Sequence, residues 1–181
     1  FVDQGKIRYL GLSNETPYGL SKYLHLSSTH KFPRVVSVQN PYSLINRTYE
    51  VGLAEMSVRE KVGLLAYSPL AFGMLTGKYL NGQMPEGSRL KLYSKNFPRY
   101  QGTRSQLAVE EYYKIAQKYE MSLTQMSLAF VNMQPFVDSN IIGATNMKQL
   151  EENINSIHID LSDEIVKDIN AIHENNPSPA P

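Results

Sequence analysis

The sequence contains no cysteine and no tryptophan. Without cysteine, disulfide scaffolds, cysteine nucleophiles and thiolate zinc sites are excluded. Neither sign of charge is in excess, since 18 Lys and Arg face 17 Asp and Glu for a net charge of +1. That balance argues against a nucleic-acid arm or an anionic-membrane patch, both of which need concentrated basic residues. No apolar run reaches the roughly 18–20 residues of a membrane span, and the N-terminus lacks the basic-then-apolar pattern of a signal peptide. Histidine is scarce too. His25 and His30 are five apart, out of step with the i,i+4 pair of a helical metal site, so no metal is expected. A soluble, cytoplasmic globular protein is the expectation. Its 181 residues suit one domain burying roughly two-thirds to 70% of its unfolded surface. The chain opens at Phe1 with no initiator Met, so a piece of something longer is expected.

What is present is an alternation. Four short β-branched or aliphatic runs, Ile7–Leu12, Val35–Val38, Val62–Tyr67 and Asn140–Gly143, are apolar on both sides, as in parallel strands covered on both faces. Helical signals separate them. Thr16-Pro17 reads as an N-cap with proline at the first helical position, and Thr48 as the cap of a second helix. Ala108, Tyr112, Ile115 and Tyr119 share one face of a third helix, with Glu110 placed to pair with Lys114. Ser122 and Gln125 form a capping box, Met147, Leu150, Ile154 and Ile157 make a further stripe, and a last helix begins at Ser162. The end, with Pro177, Pro179 and Pro181, reads as a tail. Strand–helix alternation predicts parallel strands joined by right-handed crossovers.

Ligands of parallel α/β folds sit at the carboxyl ends of the strands. Those ends here are Ser13-Asn14, Gln39-Asn40, Tyr67-Ser68 and Ala144-Thr145, all polar after an apolar run. Each alone could merely shape a turn or cap a helix; four together point to a binding face. The stretch from Leu70 to Thr103 is glycine-rich and without sustained period, and a loop that long is usually functional. Its Lys78 and Arg89 stand beside Gly77 and Gly87, a reasonable grip for phosphate but not a Walker-type loop. There is no Gly-x-Ser-x-Gly elbow, and no general base can be argued from the residues.

The string Gly5-Lys6-Ile7-Arg8-Tyr9-Leu10-Gly11-Leu12-Ser13-Asn14 resembles the fifth strand of aldo-keto reductases. Gln39-Asn40-Pro41-Tyr42-Ser43 resembles the sixth-strand end, and Tyr67-Ser68-Pro69-Leu70 through Gly77-Lys78-Tyr79 the seventh strand and phosphate loop. Gly143-Ala144-Thr145 through Gln149-Leu150-Glu151-Glu152-Asn153 resembles the eighth strand and adenosine-binding helix. Within the family the resemblance is to bacterial Tas-like reductases, related to the β subunits of voltage-gated potassium channels. It implies a (β/α)₈ TIM barrel of which strands five to eight are present, over residues 1–173, followed by the Pro-rich tail 174–181. Such barrels take about 250 residues and about eight strands to close. The missing N-terminal half, or self-association, is therefore the expected partner, with no nucleic acid or membrane involved.

The resemblance implies that Ser13, Asn14 and Gln39 hold the nicotinamide carboxamide and that Tyr67 stacks on the nicotinamide ring. It assigns Ser68, Pro69 and Leu70 to the pyrophosphate, and Lys78 and Arg89 to the phosphates. Gly143, Thr145, Gln149, Glu152 and Asn153 would surround the 2′-phosphate and adenine. Some branches carry Lys and Arg at the positions of Gly143 and Gln149; here both are uncharged, which leaves NADP(H) preference to Lys78 and Arg89. The family's Asp, Tyr, Lys and His tetrad belongs to the first four strands, so no catalytic residue is assigned and the chain alone is expected to be inactive. The implied parent is an NADP(H)-dependent oxidoreductase reducing aldehydes or ketones to alcohols. The alternative is a non-catalytic nucleotide-binding or regulatory subunit resembling the channel β subunits.

Overall fold

A computed structural model describes residues 1–181 except Ser94 and Asn96. Among the described residues, four parallel strands lie side by side in chain order: β1 (Leu10–Ser13), β2 (Val35–Pro41), β3 (Gly63–Tyr67) and β4 (Val137–Ile141). Helix α1 (Pro17–His30) joins β1 to β2, and α2 (Leu53–Glu60) joins β2 to β3. Between β3 and β4 come a short α3 (Arg89–Tyr93), then α4 (Thr103–Lys118) and α5 (Leu123–Asn132). Helices α6 (Met147–Asn155) and α7 (Asp163–Asn175) follow. This α/β architecture, a four-stranded parallel sheet with helical crossovers, is consistent with part of a (β/α)₈ barrel.

Local chemistry explains most of these boundaries. The Thr16 hydroxyl accepts from Gly19 N at 3.1 Å, and Pro17 opens α1 where an N–H would be unpaired anyway. At α5 the expected capping box is complete: Ser122 Oγ accepts from Gln125 N, and Gln125 Oε1 accepts from Ser122 N. Ser122 thus satisfies one orphan donor and has its own satisfied in return. Ser162 caps α7 by a single bond, its hydroxyl accepting from Ile165 N. Thr48 does not cap. Its N–H and hydroxyl both donate to Asn46 Oδ1, which starts a 3₁₀ turn at Thr48–Val51, and α2 begins only after Gly52. Lys114 turns to Glu111 at 2.5 Å, leaving Glu110 outside the expected pair.

Two strands begin elsewhere than expected. The first pairs only from Leu10, because β2, its partner, starts at Val35. Pro33 just upstream lacks the N–H a ladder needs. The fourth starts at Val137, where Leu64 N donates to Phe136 O at 2.8 Å, and it stops before Gly143. Asp138 and Ser139 disguise this strand as polar, which an edge position tolerates.

The strands are expected to be covered on both faces; within the described residues one face is covered, and the register shows which. Leu12, Val38, Leu64 and Val137 form one cross-strand row, and Ser13, Gln39, Leu65 and Ser139 the next. In β1, β2 and β3 the rows are one residue apart, and successive residues of a strand point to opposite faces; in β4 a register shift sets them two apart, from Val137 to Ser139. The first row faces the helices: α1 packs on β2, α2 on β3 and α5 on β4, with Val38, Leu64 and Met126 fully buried. In the second row Ser13, Gln39 and Ser139 are exposed, and no described element covers them.

The Pro-rich end is held rather than loose. Ala180 is fully buried and donates to Ile45 O, while Ser105 Oγ donates to Pro179 O. Arg47 anchors this corner. Its guanidinium bonds Glu50 at 2.7 and 2.8 Å and Asn170 at 2.8 Å, lies over the Phe130 ring, and its backbone N–H donates to Ser178 Oγ. Burial, with the Glu50 carboxylate beside it, pushes the Tyr42 phenol far above its ordinary range.

Candidate functional site

The carboxyl ends of β1, β2 and β3 come together on the uncovered face. Ser13 closes β1 and stands in register with Gln39 of β2, and Tyr67 closes β3 opposite Pro41. Asn14 follows in a left-handed conformation at φ 53°, its N–H donating to Gln39 O at 3.0 Å. The Tyr67 hydroxyl reaches across β2 and donates to Asn14 Oδ1 at 2.6 Å. One hydrogen bond therefore fixes both the aromatic ring and the amide, with Gln39 on the strand between them. Asn40 locks the adjoining turn, its side chain accepting from Glu15 N at 2.9 Å and donating to Glu15 O at 2.8 Å. A cavity of about 470 Å³ opens here, bounded by Asn14, Glu15, Asn40, Tyr67 and Arg99.

After Tyr67 the chain turns sharply. Ser68 is left-handed at φ 55°, as are Ala71 and Phe72, and Gly73 sits at φ 96°. Non-glycine residues held there store strain of order 1–3 kcal/mol each, which surrounding contacts must hold in place. Ser68 O accepts from Ala71 N, Pro69 is buried, and Leu70 O accepts from both Gly73 N and Leu75 N. Lys78 folds back so that its Nζ would lie 2.9 Å from a Cβ at Gly73, and 5.2 Å from the Tyr79 ring centroid. The lysine tip could swing aside from a side chain there; what calls for glycine is the φ of 96°. The Arg89 guanidinium lies 5.4 Å from the Phe72 ring centroid, and its tip would be 3.6 Å from a Cβ on Gly143. Neither cation has an ion-pair partner among the described residues.

Beyond β4, Gly143 O accepts from the buried Asn153 side chain at 3.1 Å. Gln149 Oε1 accepts from both the N–H and the hydroxyl of Thr145, while Asn146 caps α6 through Gln149 N. Gly143, Thr145, Gln149 and Asn153 thus form one hydrogen-bonded turn, with Arg89 at its edge. Glu152 is turned away from it, its carboxylate accepting from Ser122 Oγ of the α5 cap at 2.6 Å. The shared helix face inferred from spacing is thus split between two neighbours.

Arg99 and Tyr100 also belong to this region, and sequence reasoning missed both. They emerge from an aperiodic loop after Pro98, so no spacing places them. Arg99 borders the strand-end cavity and donates to Pro181 O, and Tyr100 packs in the aromatic group with Phe72 and Phe97. Burial raises the Tyr100 phenol above its usual value, partly offset by Arg99 and the Ser68 hydroxyl. Asn40, part of a recognised motif, was not assigned its latch role either. Among the described residues no cluster of His, Cys, Asp or Glu could hold a metal, and no helix is long and apolar enough to cross a membrane.

The chain resembles known proteins over nearly all of its length. Residues 1–174 match the model of the aldo/keto reductase family. Protein tas of Escherichia coli K12 is 54% identical over 98% of this chain and 51% of its own length. L-glyceraldehyde 3-phosphate reductase of E. coli O157:H7 is 33% identical over 87% of the chain and 46% of its own length. A Schizosaccharomyces pombe protein named as a voltage-gated potassium channel subunit beta is 32% identical over 94% of the chain and 52% of its own length. The chain spans about half the length of these curated relatives. With nearly all of its residues matched, and with the polar strand ends gathered on one face, the chain belongs to the aldo/keto reductase family.

Proposed function

We propose that the protein carrying this chain is a cytoplasmic NADP(H)-dependent oxidoreductase that reduces aldehydes or ketones to alcohols, and that this chain supplies the cofactor site. The observation that carries the reading is the Tyr67–Asn14 hydrogen bond across β2, which presents an aromatic face and amide groups on one open surface. A nicotinamide ring needs both: a flat apolar support and hydrogen-bonding partners for its carboxamide. Ser13, Asn14 and Gln39 would hold the amide, Tyr67 would support the ring, and the Ser68–Leu70 turn with Lys78 would hold the pyrophosphate. Bound there, the cofactor would supply hydride; these residues would orient it.

The choice of NADP over NAD rests on Arg89. It brings a guanidinium beside Gly143, where some branches of the family carry a lysine. Thr145, Gln149 and Asn153 would complete that end as polar groups.

Strands β1–β4 would be the fifth to eighth of a barrel, and the uncovered face its interior. The first half of the barrel, or a second copy, would cover it. The proton donor lies outside this chain in this reading, so the chain alone should not turn over carbonyl substrates. The test compares NADPH binding and NADPH oxidation, with a panel of aldehydes, in the chain alone and in the full-length protein. Binding and turnover by the full-length protein, with no turnover by the chain, are expected. Turnover by the chain alone would overturn the division of labour.

A second reading has one observation behind it, the 32% identical relative named as a channel subunit. A nucleotide-binding regulatory protein would bind NADPH equally well yet leave carbonyls untouched even at full length, so the same assay separates the two.

A further inference from the structure

We infer that the long loop after β3 encloses a second ligand site, distinct from the strand ends and suited to a small aromatic amine. A cavity of about 180 Å³ lies between this loop and α4, walled by Met74, Tyr79, Met84, Leu90 and Val109, with Glu110 at its rim. A cavity of roughly 150 Å³ is large enough for a benzene ring, so the space fits one by size; its wall is mixed, with Asn81, Gln101 and Gln106 facing it beside the apolar side chains. The wall chemistry favours an aromatic occupant. Two thioethers offer sulfur–ring contacts, and the Tyr79 and Tyr100 rings border the same space.

The charge is equally one-sided. Among the described residues neither Lys nor Arg lines the cavity, and Glu110 is the one carboxylate on its boundary. On α4 that carboxylate would ordinarily pair with Lys114 one turn on, but Lys114 is taken by Glu111. Glu110 makes no salt bridge or side-chain hydrogen bond among the described residues. An ammonium group joined to a benzene ring by one methylene would pair with the carboxylate while its ring lies against Met74, Met84 and Leu90. The same cavity would repel a carboxylate.

The rim is shaped for entry. Asn81 and Gly82, in left-handed conformations at φ 56° and 73°, border the cavity, and Met84 beside them is half exposed. The cavity is separate from the strand-end cavity, with which it shares no lining residue, so it does not depend on the cofactor assignment.

The test is ¹⁹F NMR of 4-fluorobenzylamine titrated with the full-length protein, beside 4-fluorobenzyl alcohol and 4-fluorobenzoate. Saturable amine binding on the order of millimolar is expected for a ligand of this size. The alcohol should bind about tenfold more weakly and the benzoate not measurably. Glu110→Gln, at an exposed position, should bring the amine down to the level of the alcohol and leave the alcohol unchanged. Met84→Trp, which blocks the rim without entering the core, should abolish binding of both. A linear, unsaturable response to the amine would overturn the proposal. So would binding that survives Met84→Trp, or an amine preference that survives Glu110→Gln.

Discussion

Two adjacent rows of the same sheet have opposite environments. Leu12, Val38, Leu64 and Val137 look toward the helices, and Ser13, Gln39, Leu65 and Ser139 look away from them. One step along β2 moves from a fully buried Val38 to an exposed Gln39. The helix-facing row is aliphatic throughout and belongs to the core, where close packing makes every methylene count. The other row is polar in three of four places and ends in Tyr67 and Asn14, held to each other by a hydrogen bond. Alternation with period two lets one set of strands carry stability on one side and recognition on the other. Residues of the two rows should therefore respond differently to truncation.

The largest effect is expected on the helix-facing row. Leu64 is fully buried in the second strand from the sheet edge, so Leu64→Ala should cost about 2–5 kcal/mol of stability through lost transfer energy and a residual cavity. Urea denaturation of the full-length protein reads this as a lowered midpoint. A loss below about 1 kcal/mol would mean that the helix layer is not the stabilising side.

Next come the two cations, where the cost should appear in binding and not in folding. Lys78→Ala or Arg89→Ala should weaken NADPH binding by about 1.5–3 kcal/mol, the range for hydrogen bonds to charged groups. For Arg89→Ala the loss with NADH should be smaller, because the guanidinium stands beside Gly143, at the proposed 2′-phosphate end. Calorimetric titration with both cofactors checks it; equal losses would place the 2′-phosphate elsewhere.

A smaller effect is expected where the two roles meet. Tyr67→Phe removes only the hydroxyl that donates to Asn14 Oδ1, and should cost about 0.5–1.5 kcal/mol of stability. If the bond also orients the amide, NADPH affinity should fall by a comparable amount. A stability loss without any change in affinity would confine the bond to a structural role.

Much of this was legible in the sequence, and the exceptions have physical causes. Caps whose partner is three residues away, at Thr16, Ser122 and Ser162, act where local pattern places them, because both ends of the bond lie within one helical turn. Thr48 fails because its hydroxyl bonds backwards to Asn46, a competition that spacing does not decide. The strand ends at Ser13, Asn14, Gln39 and Tyr67 were readable because polar residues follow apolar runs. Glu152 was misjudged as part of one helix face because its partner, Ser122, lies 30 residues away on another helix. Arg99 and Tyr100 were invisible for the same reason: their neighbours are set by a loop without period. The sequence also suggested strands buried twice over, since periodicity alone does not tell which side of an aliphatic run meets a neighbour.

The smallest expected effect is the most demanding test of the two-row comparison. Gln39 is exposed on the uncovered face, adjacent in sequence to the fully buried Val38, and none of the described side-chain hydrogen bonds involves its amide. Gln39→Ala removes no buried volume and leaves the ladder intact, because Gln39 contributes its backbone to β2 whatever its side chain. Surface substitutions of this kind usually change stability by less than about 0.5 kcal/mol. The same change should weaken NADPH binding, by about 0.5–1.5 kcal/mol if the amide makes one neutral hydrogen bond to the carboxamide. Paired measurements on one preparation, urea midpoint and cofactor affinity, make the contrast internal. A clear drop in midpoint would show that whatever covers this face in the full-length protein packs on the Gln39 side chain itself. An unchanged midpoint with unchanged affinity would remove Gln39 from the site and leave the carboxamide to Ser13 and Asn14.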